Sequence, residues 1–144
     1  MKIEFKGYYF IVTSNAIVRQ LGRMVSLGTN AMGITVYPFI FVRTDTRGHE
    51  GLVRHETVHI RQQLELLLVG AILLFIVEYI YARFIKRLDA RQTYYYSAME
   101  QEAHRNTKNT NYLNERKPYA VLKYIWDKKW IARGPAGELI EKDF

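Results

Sequence analysis

The sequence predicts an α+β fold, mainly helical, in which a small N-terminal β-sheet packs on a helix that carries the chemistry. Three observations support this. Short runs rich in Ile, Val, Phe and Tyr, punctuated by Gly, Pro and Asn, end at Arg43. From Leu52 onward apolar residues recur at helical spacing, with neither Gly nor Pro before Val69. A chain of 144 residues, 49% hydrophobic, is long and apolar enough to bury one core and to exclude disorder as its main state.

The elements follow in order. Lys2 to Thr13 alternates loosely and reads as a strand turned at Gly7, after which Ser14-Asn15 offers an N-cap for a helix over Ala16–Met24. Gly28 to Gly33 is a loop. Ile34 to Arg43 is the strongest strand; Pro38 has no N–H to give a ladder, which places this strand at an edge or a bulge. An edge strand there could pair with an extended peptide. Thr44 to Gly51 is a polar loop, and His49 within it receives no role.

Leu66 to Val77 lacks any polar side chain and is bounded by Glu65 and Glu78. Its length suits a buried or interfacial helix better than a membrane span. Lengthening it to Ala82 would carry Glu78 into lipid, at high cost. Arg54 and Arg61 precede it and Arg83, Lys86, Arg87 and Arg91 follow, so basic residues flank both ends. The expectation is an apolar helical insertion over about 64–87, with a bend near Gly70 or a helix alongside the domain. Gln92 to Asn111 becomes helical, with Ser97 as N-cap, Glu100 at capping-box spacing from it, and the helix running to about Asn109. A further helix follows Pro118 within Asn114–Trp130. Residues 134–144 read as a loosely held tail, leaving 1–133 as a single domain.

Bulk composition narrows the partners. The formal charge of +7 is spread along the chain and no nucleic-acid motif accompanies it, so nucleic acid is not the expected partner, and anionic lipid headgroups suit such a charge equally well. Without cysteine, thiolate ligands and thiol nucleophiles are excluded. Glu4 and Lys6 break any apolar run at the N-terminus, so no signal peptide is expected. A cytoplasmic location with peripheral membrane contact follows as the expectation.

The chemistry is concentrated in Arg54-His55-Glu56-Thr57-Val58-His59. Chance places His-Glu-x-x-His in fewer than about 1 in 100 chains of this composition, so the pattern is a signal. On a helix His55 and His59 lie one turn apart on one face and can reach a single zinc ion. Glu56 then sits where a carboxylate can take a proton from water on that ion. A catalytic zinc needs a third protein ligand, and His104, His49 or a downstream carboxylate are the choices. Met99-Glu100-Gln101-Glu102-Ala103-His104 is the dense acidic cluster downstream, and small Ala103 would let its helix approach closely.

These residues resemble the gluzincin metallopeptidases, which join His-Glu-x-x-His to a glutamate on a later helix. More narrowly, the chain is similar to small bacterial proteins sharing three blocks. They match Tyr37-Pro-Phe-Ile-Phe41, then His55-Glu-x-x-His59-x-Arg-Gln-Gln63, then Glu100-x-Glu-Ala103 continuing to Asn111-Tyr-Leu113. The resemblance implies His55, His59 and Glu100 as zinc ligands and Glu56 as general base. Many gluzincins carry Asp four residues after the ligand glutamate, where this chain has His104. Glu100 and Glu102 point about 200° apart on a helix, so only one can face the metal. Glu102 and His104 are candidates for supporting roles, and Arg54, Arg61 and Tyr94 to Tyr96 for substrate or oxyanion contacts.

Two readings follow. The first is a zinc-dependent hydrolase, a peptidase acting on peptide or protein substrates. The second is a non-catalytic, membrane-peripheral or regulatory binding protein whose metal is closed by four ligands, with His104 as the fourth.

Overall fold

The computed structural model describes residues 1–24, 31–45, 49–136 and 138–143. Its fold is α+β and mainly helical. The first half holds β1 (Lys2–Phe5), β2 (Phe10–Thr13), α1 (Asn15–Met24), β3 (Gly33–Val36), β4 (Phe39–Val42) and α2 (His49–Glu65). These strands make one sheet in the order β1-β2-β4-β3. β2 and β4 run parallel, in register Phe10↔Phe39 to Thr13↔Val42, and β1 and β3 flank them antiparallel. Gly7 makes the β1–β2 turn at φ 83, a conformation glycine adopts without steric cost. One sheet face closes on α2 through Ile11, Ile40, Val42 and Ile60, all buried.

The expected single strand over 34–43 is two strands. The chain reverses at Tyr37-Pro38, whose peptide bond is cis, and β3 folds back on β4 with Val36 opposite Phe39. Pro38 thus occupies a turn, where its missing N–H removes nothing from the ladder. β3 becomes the sheet edge beside α2. Half of the loop expected at Gly28–Gly33, residues 28–30, lies outside the described residues. So does part of the loop expected at 44–51, and α2 begins at His49, earlier than the pattern indicated.

After α2 come α3 (Leu67–Ile80), a π-helical turn (Tyr81–Ile85), α4 (Ala90–Tyr96) and α5 (Ala98–Asn106). α6 (Tyr112–Glu115), a 3-10 turn (Ala120–Leu122) and α7 (Lys123–Trp126) precede β5 (Lys129–Arg133) and β6 (Leu139–Asp143). The expected bend near Gly70 falls instead at Leu66-Leu67, where Leu67 takes φ 50. Gly70 stays inside α3 and a Cβ there would make ordinary contact, so the bend does not need it. α2 is anchored up to its last residue, because Glu65 pairs with Arg116. α3 must turn away from that anchor to lay Ala71 against Ala98, Met99, Val121 and Tyr124, the second core.

Two further expectations change. The helix foreseen after Pro118 is a 3-10 turn followed by one turn of α7, and Trp130 belongs to β5. The tail foreseen as loosely held supplies β6, which pairs with β5 from Lys129↔Asp143 to Arg133↔Leu139. Fully buried Ile131 ties this hairpin to the rest of the domain.

Candidate metal centre

α2 buries a row of polar side chains: His55, Glu56, His59, Gln62 and Gln63. Buried polar groups must find partners, so their bonds define the site. Gln63 is spent on the sheet edge: its amide donates to the Thr35 carbonyl at 2.9 Å and accepts from the Tyr37 N–H at 2.8 Å. Those two backbone groups, one in β3 and one just after it, are therefore not free for a peptide. Glu56 also faces β3. The Thr35 hydroxyl donates to Glu56 Oε2 at 2.6 Å, and a Cβ at Gly33 would lie 2.8 Å from the Glu56 carboxyl carbon. Gly33 is thus the cradle that admits this carboxylate.

The opposite wall is α5. Asp89 caps α4 by accepting from the Gln92 N–H at 2.8 Å, and α4 stops at Ser97, where ψ 133 redirects the backbone. Ser97 occupies the N-cap position of α5 without capping it, and its hydroxyl is buried without a partner. The capping box expected between Ser97 and Glu100 does not form. Glu78 of α3 takes that place, accepting from the Ala98 N–H at 2.8 Å while pairing with Lys128. Glu100 is left free to turn inward, and buried Ala103 one turn on leaves room for α2.

Three imidazoles surround the Glu100 carboxylate. His59 Nε2 is 3.2 Å from Oε1, while His55 Nε2 and His104 Nε2 are each 3.3 Å from Oε2. The Nε2 atoms of His55 and His59 face each other at 3.1 Å. Glu100 Oε2 and His104 Nε2 are buried and complete no hydrogen bond of good geometry despite their proximity. Orphaned polar atoms converging on one point are what a cation would satisfy. His55, Glu100 and His104 form a group that could hold a metal ion, their ligating atoms all within 4.8 Å of one another.

Electrostatics agree with a site that attracts positive charge. Burial and neighbouring His104 push His55 down. Burial would also push His59 down, but the Glu100 charge and hydrogen bond, with Glu56 behind, lift it to about 9. Against burial, the His59 charge and the close approach of the three imidazoles hold Glu100 well below the usual carboxylate range.

His59 is also held from behind. Its Nδ1 is 2.7 Å from Gln62 Oε1, and the Gln62 NH₂ donates to the Met99 carbonyl at 3.1 Å and to Glu102 Oε2 at 2.9 Å. The Met99 carbonyl can only accept, so the Gln62 oxygen faces His59 and Nδ1 carries the hydrogen. The neutral imidazole then presents its Nε2 lone pair to the centre, as a metal ligand requires. Glu102 is fully buried and points away from the histidines. It accepts from the Tyr112 hydroxyl at 2.9 Å and pairs with Arg116, whose other edge meets Glu65 at 2.6 and 3.0 Å.

Of the remaining expected site residues, Tyr94 joins the centre: burial and the charges of Glu100 and Glu56 push its phenol well up. Tyr95 packs edge-on against His104 at 4.9 Å, and Tyr96 lies under Lys128. Arg54 is not aimed at a substrate; its guanidinium donates to the Thr107 carbonyl at the end of α5. Arg61 lies over the Tyr8 ring, away from the histidines. Gln62 has no role in the sequence reading, although i, i+3 spacing from His59 puts it within reach. Thr35, Gly33 and Arg116 carried no sequence signal.

No family model, curated protein or solved structure matches the chain.

Proposed function

We propose that the protein is a zinc-dependent hydrolase, a peptidase of gluzincin-like type, with His55, His59 and Glu100 as ligands. One observation carries the reading. The separations among His55 Nε2, His59 Nε2 and the Glu100 oxygens are 3.1, 3.2 and 3.3 Å. Zinc bonds of about 2.0–2.1 Å at tetrahedral angles separate two ligating atoms by about 3.3 Å. The donor set of two imidazoles and a carboxylate is also one that zinc accepts. When bound, zinc would polarise a substrate carbonyl and acidify a water molecule.

The chain's own groups supply the rest. Glu56 offers a proton acceptor whose direction is set by the Thr35 hydroxyl. Tyr94, kept protonated, can donate a hydrogen bond to a developing oxyanion. Gln62 fixes the His59 tautomer. A peptide could lie along β3 near Gly33, where Gln63 has not taken the edge.

In zinc-loaded protein offered a peptide library, Glu56→Gln should keep the metal and lower cleavage by about 100-fold or more. Cleavage at the wild-type rate would end the mechanism. The competing reading, a closed structural site, rests on His104 Nε2 at 3.3 Å from Glu100 Oε2. It expects His104→Ala to weaken zinc binding by well over 10-fold, whereas the hydrolase reading expects that variant to bind zinc within a few-fold of the wild type.

A further inference from the structure

We infer that α3 and the turn after it form a membrane-docking face that lies in the headgroup region of an anionic bilayer. The stretch Leu67–Ile85 is 19 residues long and apolar enough to cross a membrane by length and composition, yet only 17% of its most apolar window is buried. Leu67, Val69, Leu73, Val77, Phe84 and Ile85 are each more than half exposed. An exposed apolar surface this extensive marks an interaction site.

The acidic residue within the stretch does not interrupt that face. Glu78 is buried toward the domain, held by Lys128 and the Ala98 N–H, so a lipid-facing surface would not meet its charge. Exposed Arg83 lies in the last turn of the stretch, donating to the Leu88 carbonyl, and exposed Lys86, Arg87 and Arg91 follow it; no ion pair involves these four among the described residues. Exposed Arg61 precedes it. Basic residues therefore stand at both ends. A second copy would bring these charges, and a net +7 on each chain, into one assembly, whereas anionic headgroups neutralise them.

The same packing sets the depth. Ala71 packs on the second core, Glu78 holds α5, and the Ala82 carbonyl accepts from the Leu88 N–H. One side of α3 thus rests on protein at Ala71 and Glu78. A crossing would carry the Glu78–Lys128 pair and the start of α5 into hydrocarbon, which is costly. Lying in the interface, with the domain as its polar side, satisfies both surfaces.

The test is flotation of the full chain, synthesised without detergent in the presence of vesicles. One set is phosphatidylcholine alone and the other contains phosphatidylglycerol. The chain should float with the anionic vesicles, and salt should weaken binding. The triple variant Arg83→Gln, Lys86→Gln, Arg87→Gln should bind on the order of 100-fold more weakly. Ile76→Gln with Val77→Gln, on the exposed face, should also weaken it. If substitution spoils folding, the salt and lipid dependence of the wild type decide the matter. A chain left unbound, as monomer, dimer or aggregate, overturns the proposal, as does equal binding to both vesicles. Protease protection of a fragment holding His55 while residues beyond 86 are digested would show a crossing, and would also overturn it.

Discussion

Glu102→Ala and Glu100→Ala, two positions apart on α5, should fail in opposite ways. Glu102 is fully buried and satisfies the Arg116 guanidinium, the Tyr112 hydroxyl and the Gln62 amide. The Arg116 side chain is 3% exposed and cannot shed its charge. Removing one member of such a pair costs about 3–5 kcal/mol, moderated here because Glu65 still holds the other edge. In a domain of this size that lowers Tm by on the order of 10 °C. Glu100 is different: its partners are imidazoles, which can lose a proton and become neutral when the carboxylate goes. Glu100→Ala should therefore cost the metal-free fold less than Glu102→Ala. For zinc the order reverses. Glu100→Ala should lose more than the roughly 100-fold that outer partners reach, and Glu102→Ala at most about 10-fold, since Gln62 keeps the Met99 carbonyl. Urea unfolding with a chelator, paired with competitive zinc titration, measures both. A Glu102→Ala variant that keeps its stability and loses zinc would move the ligand to Glu102 and refute this description of the site.

Three more outcomes are expected. With His59 lifted to about 9, the metal-free chain carries its proton at pH 7 and a ligand nitrogen must give it up, so zinc binding should release about one proton and tighten as pH rises toward 9; calorimetry in buffers of differing ionisation enthalpy reads this, and zero release contradicts it. Gln62→Leu should weaken zinc by about 10–100-fold by freeing the His59 tautomer, and an unchanged titration would remove Gln62 from the account. Gly33→Ala should displace Glu56 and lower cleavage by on the order of 100-fold with zinc retained, while full activity would show that Glu56 is not held there.

The division into an early sheet and later helices was legible because strand and helix periods differ and are local. So was the placing of His55 and His59 on one face, which i, i+4 spacing dictates. What escaped the sequence was set by residues far apart. Glu78 replaces Ser97 as the cap of α5 from 20 residues upstream, and Arg116 reaches Glu65 across 51. The strand over 34–43 became a hairpin because Pro38 could serve a turn as readily as an edge, a choice settled by β2 accepting β4 alongside it. The bend moved from Gly70 to Leu67 because the anchored end of α2 and the Ala71 contact fix where the chain must turn. The hairpin of β5 and β6 was hidden by the Gly, Pro and charge that make its turn and outer surface. The approach of His104 to Glu100 follows i, i+4 spacing, but the sequence could not say that both face inward.

The most direct measurement is anomalous scattering at the zinc edge from crystals grown with zinc. The expected result is one ion bonded to His55 Nε2, His59 Nε2 and the Glu100 carboxylate, with His104 Nε2 beyond bonding distance and a solvent ligand completing the shell. An ion bonded to all four side chains, or no ion between α2 and α5, would contradict it.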